Sequence, residues 1–210
     1  MSDIATDNFP TQLDEKTVDA NPIELFRAWF ADAFGCGSRL PDAMTLATAT
    51  SDGKPSARMV LLKQVDNSGF VFYTNYSSKK AKELEENPRA ALVFYWVQLD
   101  RQVRVEGEVE RISSAESDEY FATRPRESQI GAIASPQSEI IRSREVLEKQ
   151  YSELDERYRD RPVKRPANWG GYRLIPERIE FWQNRPGRLH DRILYERQPD
   201  GTWTISRLAP

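Results

Sequence analysis

Residues 43–74, AMTLATATSDGKPSARMVLLKQVDNSGFVFYT, decide the reading of the fold. Ala43–Thr50 alternates apolar with small polar residues, the period-two pattern of a half-buried strand. Ser51-Asp52-Gly53-Lys54 is a hairpin turn signal. Pro55–Val65 and Gly69–Thr74 read as two further strands, separated by Asp66-Asn67-Ser68-Gly69. Consecutive strands with short turns predict an antiparallel meander.

Upstream, Asn21-Pro22-Ile23-Glu24 opens a helix, with Asn21 as cap, proline in the first turn and Glu24 three residues after the cap. Leu25, Phe26, Trp29, Phe30 and Phe34 recur at helical spacing, and Gly35 and Gly37 end the helix. Residues 1–20 read as a flexible tail, and 21–210 as a single domain. Downstream, a short charged helix runs over about Ser78–Glu86, followed by strands Ala90–Gln98 and Gln102–Ile112. Ser113 or Ser114 caps a helix to about Arg124, where Pro125 interrupts it. A long helix is predicted between Ser138 and Arg159. The segment Arg161–Pro166 then leads to strands Gly171–Asn184, Arg188–Arg197 and Thr202–Leu208. The expected fold is mainly β with peripheral helices (α+β), an antiparallel barrel with helices outside. Ala91–Trp96 (ALVFYW) is apolar on both faces, as for a strand covered on both sides or facing a partner subunit.

Composition sets outer limits. The 210 residues are 39% hydrophobic and 30% charged with a net charge of −3, an ordinary globular chain rather than a general nucleic-acid binder. No apolar run approaches a membrane span, and residues 1–20 do not resemble a signal peptide, so a cytoplasmic protein is expected. With one cysteine (Cys36) and one histidine (His190), no metal centre is expected.

No GxSxG elbow, P-loop, HExxH or GxGxxG motif is present. Cationic residues instead gather beside aromatics and amides in four places. In RMVLLK (58–63), strand alternation puts Arg58 and Lys63 on opposite faces, where they could serve two anionic groups or simply be solvated charges. In Tyr73–Lys80, a strand ending in Tyr73, Thr74 and Asn75 meets a helix that begins with Lys79 and Lys80. A helix N-terminus with added lysines suits a phosphate, although an ordinary surface helix has the same look. Tyr120 and Arg124 share a helical face and, with Ser128, could clamp a phosphate or be a structural helix end. Finally, Arg188, His190 and Arg192 alternate in a predicted strand beside Trp182, where three potentially cationic groups on one face call for an anionic or electron-rich neighbour.

These segments resemble the pyridoxine/pyridoxamine 5′-phosphate oxidase family. The stretch Ile179–Arg192, I-E-F-W-Q-x4-R-L-H-D-R, agrees with the family signature at each fixed position. RMVLLK (58–63), FYTN (72–75), RQVRVEG (101–107), TRPRESQIGA (123–132), SPQS (135–138), NWGGYR (168–173) and RLAP (207–210) extend the resemblance over roughly residues 22–210. The resemblance implies a split β-barrel homodimer with FMN near the subunit interface. It implies that Arg58, Lys79, Lys80 and Ser138 serve the FMN phosphate end. Met59, Val60, Leu61, Leu62 and Lys63, with Tyr73, Thr74, Gln102, Gln137, Trp182 and Arg192, would hold the rest of the cofactor. Lys63, Tyr120, Arg124 and Ser128 would take the substrate phosphate. Arg188, Leu189 and His190 would meet the pyridine ring, with Arg188 and His190 as the catalytic pair. The implied reaction is FMN-dependent oxidation of pyridoxamine or pyridoxine 5′-phosphate by O2 to pyridoxal 5′-phosphate.

Two departures from the family pattern stand out. Residues 1–20 lack the basic, tyrosine-containing segment that covers the substrate in many bacterial relatives, and Lys79 stands where many have arginine. The competing readings are a split-barrel flavoenzyme of the phenazine-pathway type and a non-catalytic flavin- or pyridoxal-phosphate-binding protein. The intact set Lys63, Tyr120, Arg124, Ser128, Arg188 and His190 favours the oxidase over the first, and oxygen consumption on turnover would separate it from the second.

Overall fold

A computed structural model describes residues 12–210. Nine antiparallel strands form one sheet, β1 (Ala43–Ala49), β2 (Pro55–Leu61), β3 (Gln64–Asp66), β4 (Gly69–Asn75), β5 (Arg89–Trp96), β6 (Arg101–Arg111), β7 (Trp169–Gln183), β8 (Asp191–Arg197) and β9 (Trp203–Arg207). The helices are α1 (Pro22–Gly35), α2 (Lys79–Glu86), α3 (Ser114–Thr123), α4 (Arg126–Ala134) and α5 (Arg144–Arg157). The sheet order is β2-β1-β5-β6-β7-β4-β3, with β8 and β9 branching from β7. This is the expected antiparallel split barrel with peripheral helices.

The long strand β7 makes the split. Its first half pairs with β4 and its second half with β8, while β6 runs along its other edge. Between the halves the register shifts at Glu106/Gly107 opposite Pro176, which cannot donate to the ladder. Gly107 is required there because a Cβ would lie 2.0 Å from the Ile175 carbonyl oxygen.

The helix α1 closes the core. Asn21 Oδ1 accepts the Ile23 N–H at 3.0 Å, the expected cap. Phe26 packs edge-on against Phe70 and Phe94, and Trp29 against Phe181. Burying each of these rings contributes about 1.5–3 kcal/mol. Ser113 and Glu116 form a reciprocal capping box at the start of α3.

Several sequence expectations are corrected. The strand expected over Pro55–Val65 breaks at Leu62-Lys63, where the chain leaves β1 and joins β4. Leu62 N donates to Asp42 O and Lys63 N to Val71 O, and Leu62 turns into the core. Arg58 and Lys63 are therefore not opposite faces of one strand. The long helix expected from Ser138 starts only at Arg144, because Ser138 adopts φ +74. The helix α4 begins directly after Pro125, where no helix was expected. The strand expected from Arg188 starts at Asp191, because Gly187 and Arg188 are left-handed, at φ +67 and +62. Arg188, His190 and Arg192 thus do not alternate along one strand. Within the chain β5 is covered on one face only, with Leu92, Phe94 and Trp96 buried and Tyr95 54% exposed on the other.

Of the segment 1–20, residues 1–11 lie outside the described residues. Leu13 is buried against the sheet, its N–H donates to Asp191 at 3.3 Å, and Arg207 donates to its carbonyl at 2.5 Å. No helix among the described residues is long and apolar enough to cross a membrane.

Candidate active site

A cavity of about 840 Å³ opens where β2, the end of β4, the start of α2 and the α3–α4 junction converge. Its walls include Arg58, Met59, Val60, Leu61 and Lys63 from the corner after β2, Tyr73 and Thr74 from β4, and Lys79 and Lys80 from α2. Tyr120, Arg124, Ser128, Gln137, Ser138 and Trp169 complete it. Elements distant in sequence meet here because β7 carries β4 on the edge nearest α3. The left-handed Ser138 bends the chain so that Gln137 and Ser138 face the cavity instead of continuing a helix.

One group of cations is built around Lys80, which is 8% exposed. Its Nζ donates to Thr74 Oγ1 at 3.1 Å, to Ser78 Oγ at 3.4 Å and to Gln137 Oε1 at 3.4 Å, all neutral acceptors. Thr74 Oγ1 in turn donates to Gln137 Oε1 at 2.9 Å. Burial, followed by the charge of Arg58, lowers the Lys80 pKa. A buried ammonium without a carboxylate on it is an anion receptor in waiting.

The other group lies at the α3–α4 junction. Tyr73 and Tyr120 stack with ring centroids 3.9 Å apart and planes 18° from parallel, and Tyr73 stacks on Trp169 at 5.4 Å. Burial, then the proximity of Tyr120 and Glu116, pushes the Tyr73 phenol up to about 12, so it is a neutral donor at physiological pH. Arg124 lies over Trp169 with Cζ 4.6 Å from the ring centroid. Its Nη1 is buried with no hydrogen-bond partner, and burial lowers its pKa. Lys63 is tied to Asp42 at 2.9 Å.

The remaining sequence candidates lie elsewhere on the chain. Leu62 is in the core beneath the cavity. Gln102 pairs with Trp182, which pairs with Arg192 across β6, β7 and β8. The Arg192 side chain donates to Glu180 at 2.8 Å and to the Ala209 carbonyl at 2.8 Å. His190 sits 4.7 Å from the Trp182 ring, and its Nδ1 accepts the Arg185 N–H at 3.2 Å, which makes Nε2 the N–H donor of the neutral ring. Leu189 and His190 line a second depression with Asp191, Arg207 and the chain end Leu208–Pro210. Arg188 lies on the adjoining turn. The structure therefore gathers the sequence candidates into two separate clusters on one chain.

Sequence reasoning missed two contributors. Trp169 was visible only inside NWGGYR, where a tryptophan before two glycines has the look of core. Glu83 lies in the charged run KKAKELEE, which reads as a solvated face, yet it is 4% exposed beneath Arg58.

Comparison with known proteins covers the whole chain. Residues 37–158 match the family described as pyridoxamine 5′-phosphate oxidase, and residues 169–210 match the pyridoxine 5′-phosphate oxidase C-terminal dimerisation region. The chain is 59% identical over 198 residues to the pyridoxine/pyridoxamine 5′-phosphate oxidase of Rubrobacter xylanophilus, covering 94% of this chain and 91% of that protein. It is 55% identical over 210 residues to pyridoxine/pyridoxamine 5′-phosphate oxidase 1 of Ralstonia nicotianae, covering 100% of this chain and 99% of that protein. Among solved structures, PhzG from Burkholderia lata in complex with tetrahydrophenazine-1-carboxylic acid matches with a TM-score of 0.91 at 32% identity, covering 97% of this chain and 100% of that one.

Proposed function

The chain belongs to the pyridoxamine 5′-phosphate oxidase family, and from that premise we propose that it is an FMN-dependent oxidase converting pyridoxamine and pyridoxine 5′-phosphates to pyridoxal 5′-phosphate, with O2 as electron acceptor. The observation that carries this reading is one cavity with two cationic groups. Lys80 has only neutral partners, and the buried Arg124 Nη1 has none. Each meets the requirement of a phosphate: fixed donors, excess positive charge and partial exclusion of water.

The residues present fit FMN. Arg58, Lys79, Lys80 and Ser138 would hold its phosphate, and Thr74 and Gln137 offer polar contacts beside Lys80. Tyr73 joins these to the substrate side. Bound FMN would supply the two-electron acceptor, taking hydride from the substrate C4′ at N5 and returning the electrons to O2 as H2O2. The chain itself would bind, orient and exclude water. Lys63, Tyr120, Arg124 and Ser128 would anchor the substrate phosphate and so fix the reach of C4′. Arg188 and His190 would position the pyridine ring, with His190 Nε2 directed to its oxygen or amine.

Arg188, Leu189 and His190 line a different part of the chain from Arg124. In this proposal the protein is a cytoplasmic homodimer in which Gln102, Trp182, Arg188, Leu189, His190 and Arg192 of one subunit complete the cavity of its partner. The match of residues 169–210 to a dimerisation region and the half-open face of β5 support that arrangement.

A second reading, a flavoenzyme acting on a tricyclic carboxylic acid, draws on the likeness to PhzG. Anaerobic stopped-flow mixing of the flavin-loaded protein with pyridoxamine 5′-phosphate separates the two. Flavin bleaching, then recovery with peroxide on admitting air, is the expected result. A yellow protein that stays oxidised with this substrate would overturn the vitamin B6 assignment, and a protein that takes up no FMN would overturn the cofactor.

A further inference from the structure

Arg58 does not present its guanidinium fork to the cavity. Its Nη1 donates to the Leu46 carbonyl at 3.2 Å and to Thr48 Oγ1 at 2.5 Å, and its Nη2 donates to Ser56 Oγ at 2.5 Å and to Glu83 Oε2 at 3.1 Å. A guanidinium has five N–H donors. With four so directed, only Nε–H is left for a ligand.

The bracing converges on Glu83. Its Oε2 accepts from Thr48 Oγ1 at 2.5 Å and from Ser56 Oγ at 2.6 Å as well as from Arg58. Both hydroxyls thus accept from Arg58 and donate to the carboxylate, so every O–H and N–H in the cluster runs in one direction. The other carboxylate oxygen stands 3.8 Å from Lys79 Nζ. Burial pushes the Glu83 carboxyl upward, but hydrogen bonds from Ser56, Thr48 and Arg58 outweigh it and hold the group below the usual glutamate value. Glu83 is therefore ionised. Arg58, Lys79 and Lys80 supply three positive charges and Glu83 one negative, a net of 3 − 1 = +2. A phosphate monoester at neutral pH carries about −1.5 to −2.

We propose that Glu83 is a positioning residue for the anion-binding end of the cavity. It locks Arg58 and steers Lys79, and it sets the local charge so that this end takes a phosphorylated flavin in preference to the same flavin without phosphate. The inference rests on the FMN reading above and goes beyond it in naming what selects the phosphate. Glu83 does not line the cavity and would act through the cations around it, Arg58 and Lys79.

The test is a pair of affinities measured on the full-length protein freed of flavin. FMN and riboflavin are titrated separately by quenching of flavin fluorescence against wild type, Glu83→Ala and Glu83→Gln. For Glu83→Ala the FMN Kd is expected to rise about tenfold or more, the scale of one lost hydrogen bond to a charged group. The riboflavin Kd is expected to stay within about twofold, since riboflavin has no phosphate to be held. Glu83→Gln keeps the shape and an acceptor for the hydroxyls, so a smaller loss, again confined to FMN, is expected. If Glu83→Ala does not fold, the Gln variant carries the same comparison. FMN binding that is unchanged or tighter overturns the proposal, because the carboxylate would then only neutralise Arg58. Equal weakening of FMN and riboflavin overturns it too, as a general structural effect. Wild-type protein that binds neither flavin instead overturns the FMN reading, a result distinct from both.

Discussion

Arg124 lies over the face of Trp169, its Cζ 4.6 Å from the ring centroid, with Nη1 buried and unpartnered. The pair explains how a half-buried cation with one buried donor is tolerated without a carboxylate. The indole face offers cation–π attraction of about 0.5–2 kcal/mol, less than the cost of leaving a buried donor unpaired. The site holds an unmet demand that an anion would satisfy.

Replacing Arg124 by Met should therefore separate binding from stability. Met keeps the apolar stem against Trp169 and removes the buried charge. The KM for pyridoxamine 5′-phosphate is expected to rise by about 10- to 100-fold, the value of charge-assisted phosphate contacts. The thermal midpoint is expected to equal or exceed that of wild type. Steady-state kinetics beside a melting curve checks both, and a sharp fall in the midpoint would show Arg124 to be a structural cation.

A backbone prediction follows from the bulge between β6 and β7. A Cβ on Gly107 would meet the Ile175 carbonyl oxygen at 2.0 Å and Pro176 Cα at 3.1 Å, and neither is a flexible side-chain end. Gly107→Ala should lower stability by about 1–3 kcal/mol through forced backbone movement. Denaturant unfolding reads this directly, and an unshifted midpoint would mean that the two strands part without cost.

How much of this was legible in the chain differs by scale. The hairpin of β1 and β2, the turn into β4 and the cap at Asn21 were readable because turn chemistry and period-two alternation are local signals. The expected meander does not form, since β2 and β4 stand apart in the sheet and do not pair. The corner at Leu62-Lys63 was not, since apolar residues continue straight through it and only the switch of partner from β1 to β4 ends the strand. The left-handed Ser138 carries no glycine to mark it, and at Arg188 the turn signal of Pro186-Gly187 extends one residue further than its residue types show; each moved the start of an expected helix or strand. Residue types in the Arg58 and Arg124 regions pointed to anions, but their convergence on one cavity depends on sheet order. Glu83 was hidden because burial of one carboxylate in a charged helix leaves no periodic trace.

The pH dependence of stability should have an acid limb that Asp191 helps to set. Burial pushes the Asp191 carboxyl up, but hydrogen bonds from Arg185, Arg207 and the Leu13 N–H prevail and hold it below the ordinary aspartate value. Its folded pKa is thus the lower one, and the unfolded chain binds the extra proton. The contribution is complete above about pH 4 and is lost as pH falls through the folded pKa. Asp191→Asn should cost about 1–3 kcal/mol at neutral pH by removing the charged acceptor that Arg185, Arg207 and the Leu13 N–H share. It should also flatten the acid limb. Chemical denaturation from pH 3 to 7 tests this, and parallel curves for the two proteins would exclude Asp191 as a contributor.

Subunit mixing tests whether the two clusters serve one site. Arg124→Met damages the cavity, while His190→Ala damages the turn before β8 and leaves the cavity walls as they are. If His190 acts in the partner's cavity, each hybrid dimer has one site with both lesions and one with neither. Random pairing makes about half the dimers hybrids, so co-refolding equal amounts of the two variants, assayed at a substrate concentration well below the raised KM, should recover about a quarter of wild-type activity. If His190 serves the cavity of its own chain, every site keeps one lesion and mixing recovers nothing. The kinetic constants sharpen the result, since sites restored in hybrids should show the wild-type KM for pyridoxamine 5′-phosphate with only the number of active sites reduced. Recovered activity with the raised KM of Arg124→Met would instead mean partial function of damaged sites, and would count against a site shared between subunits.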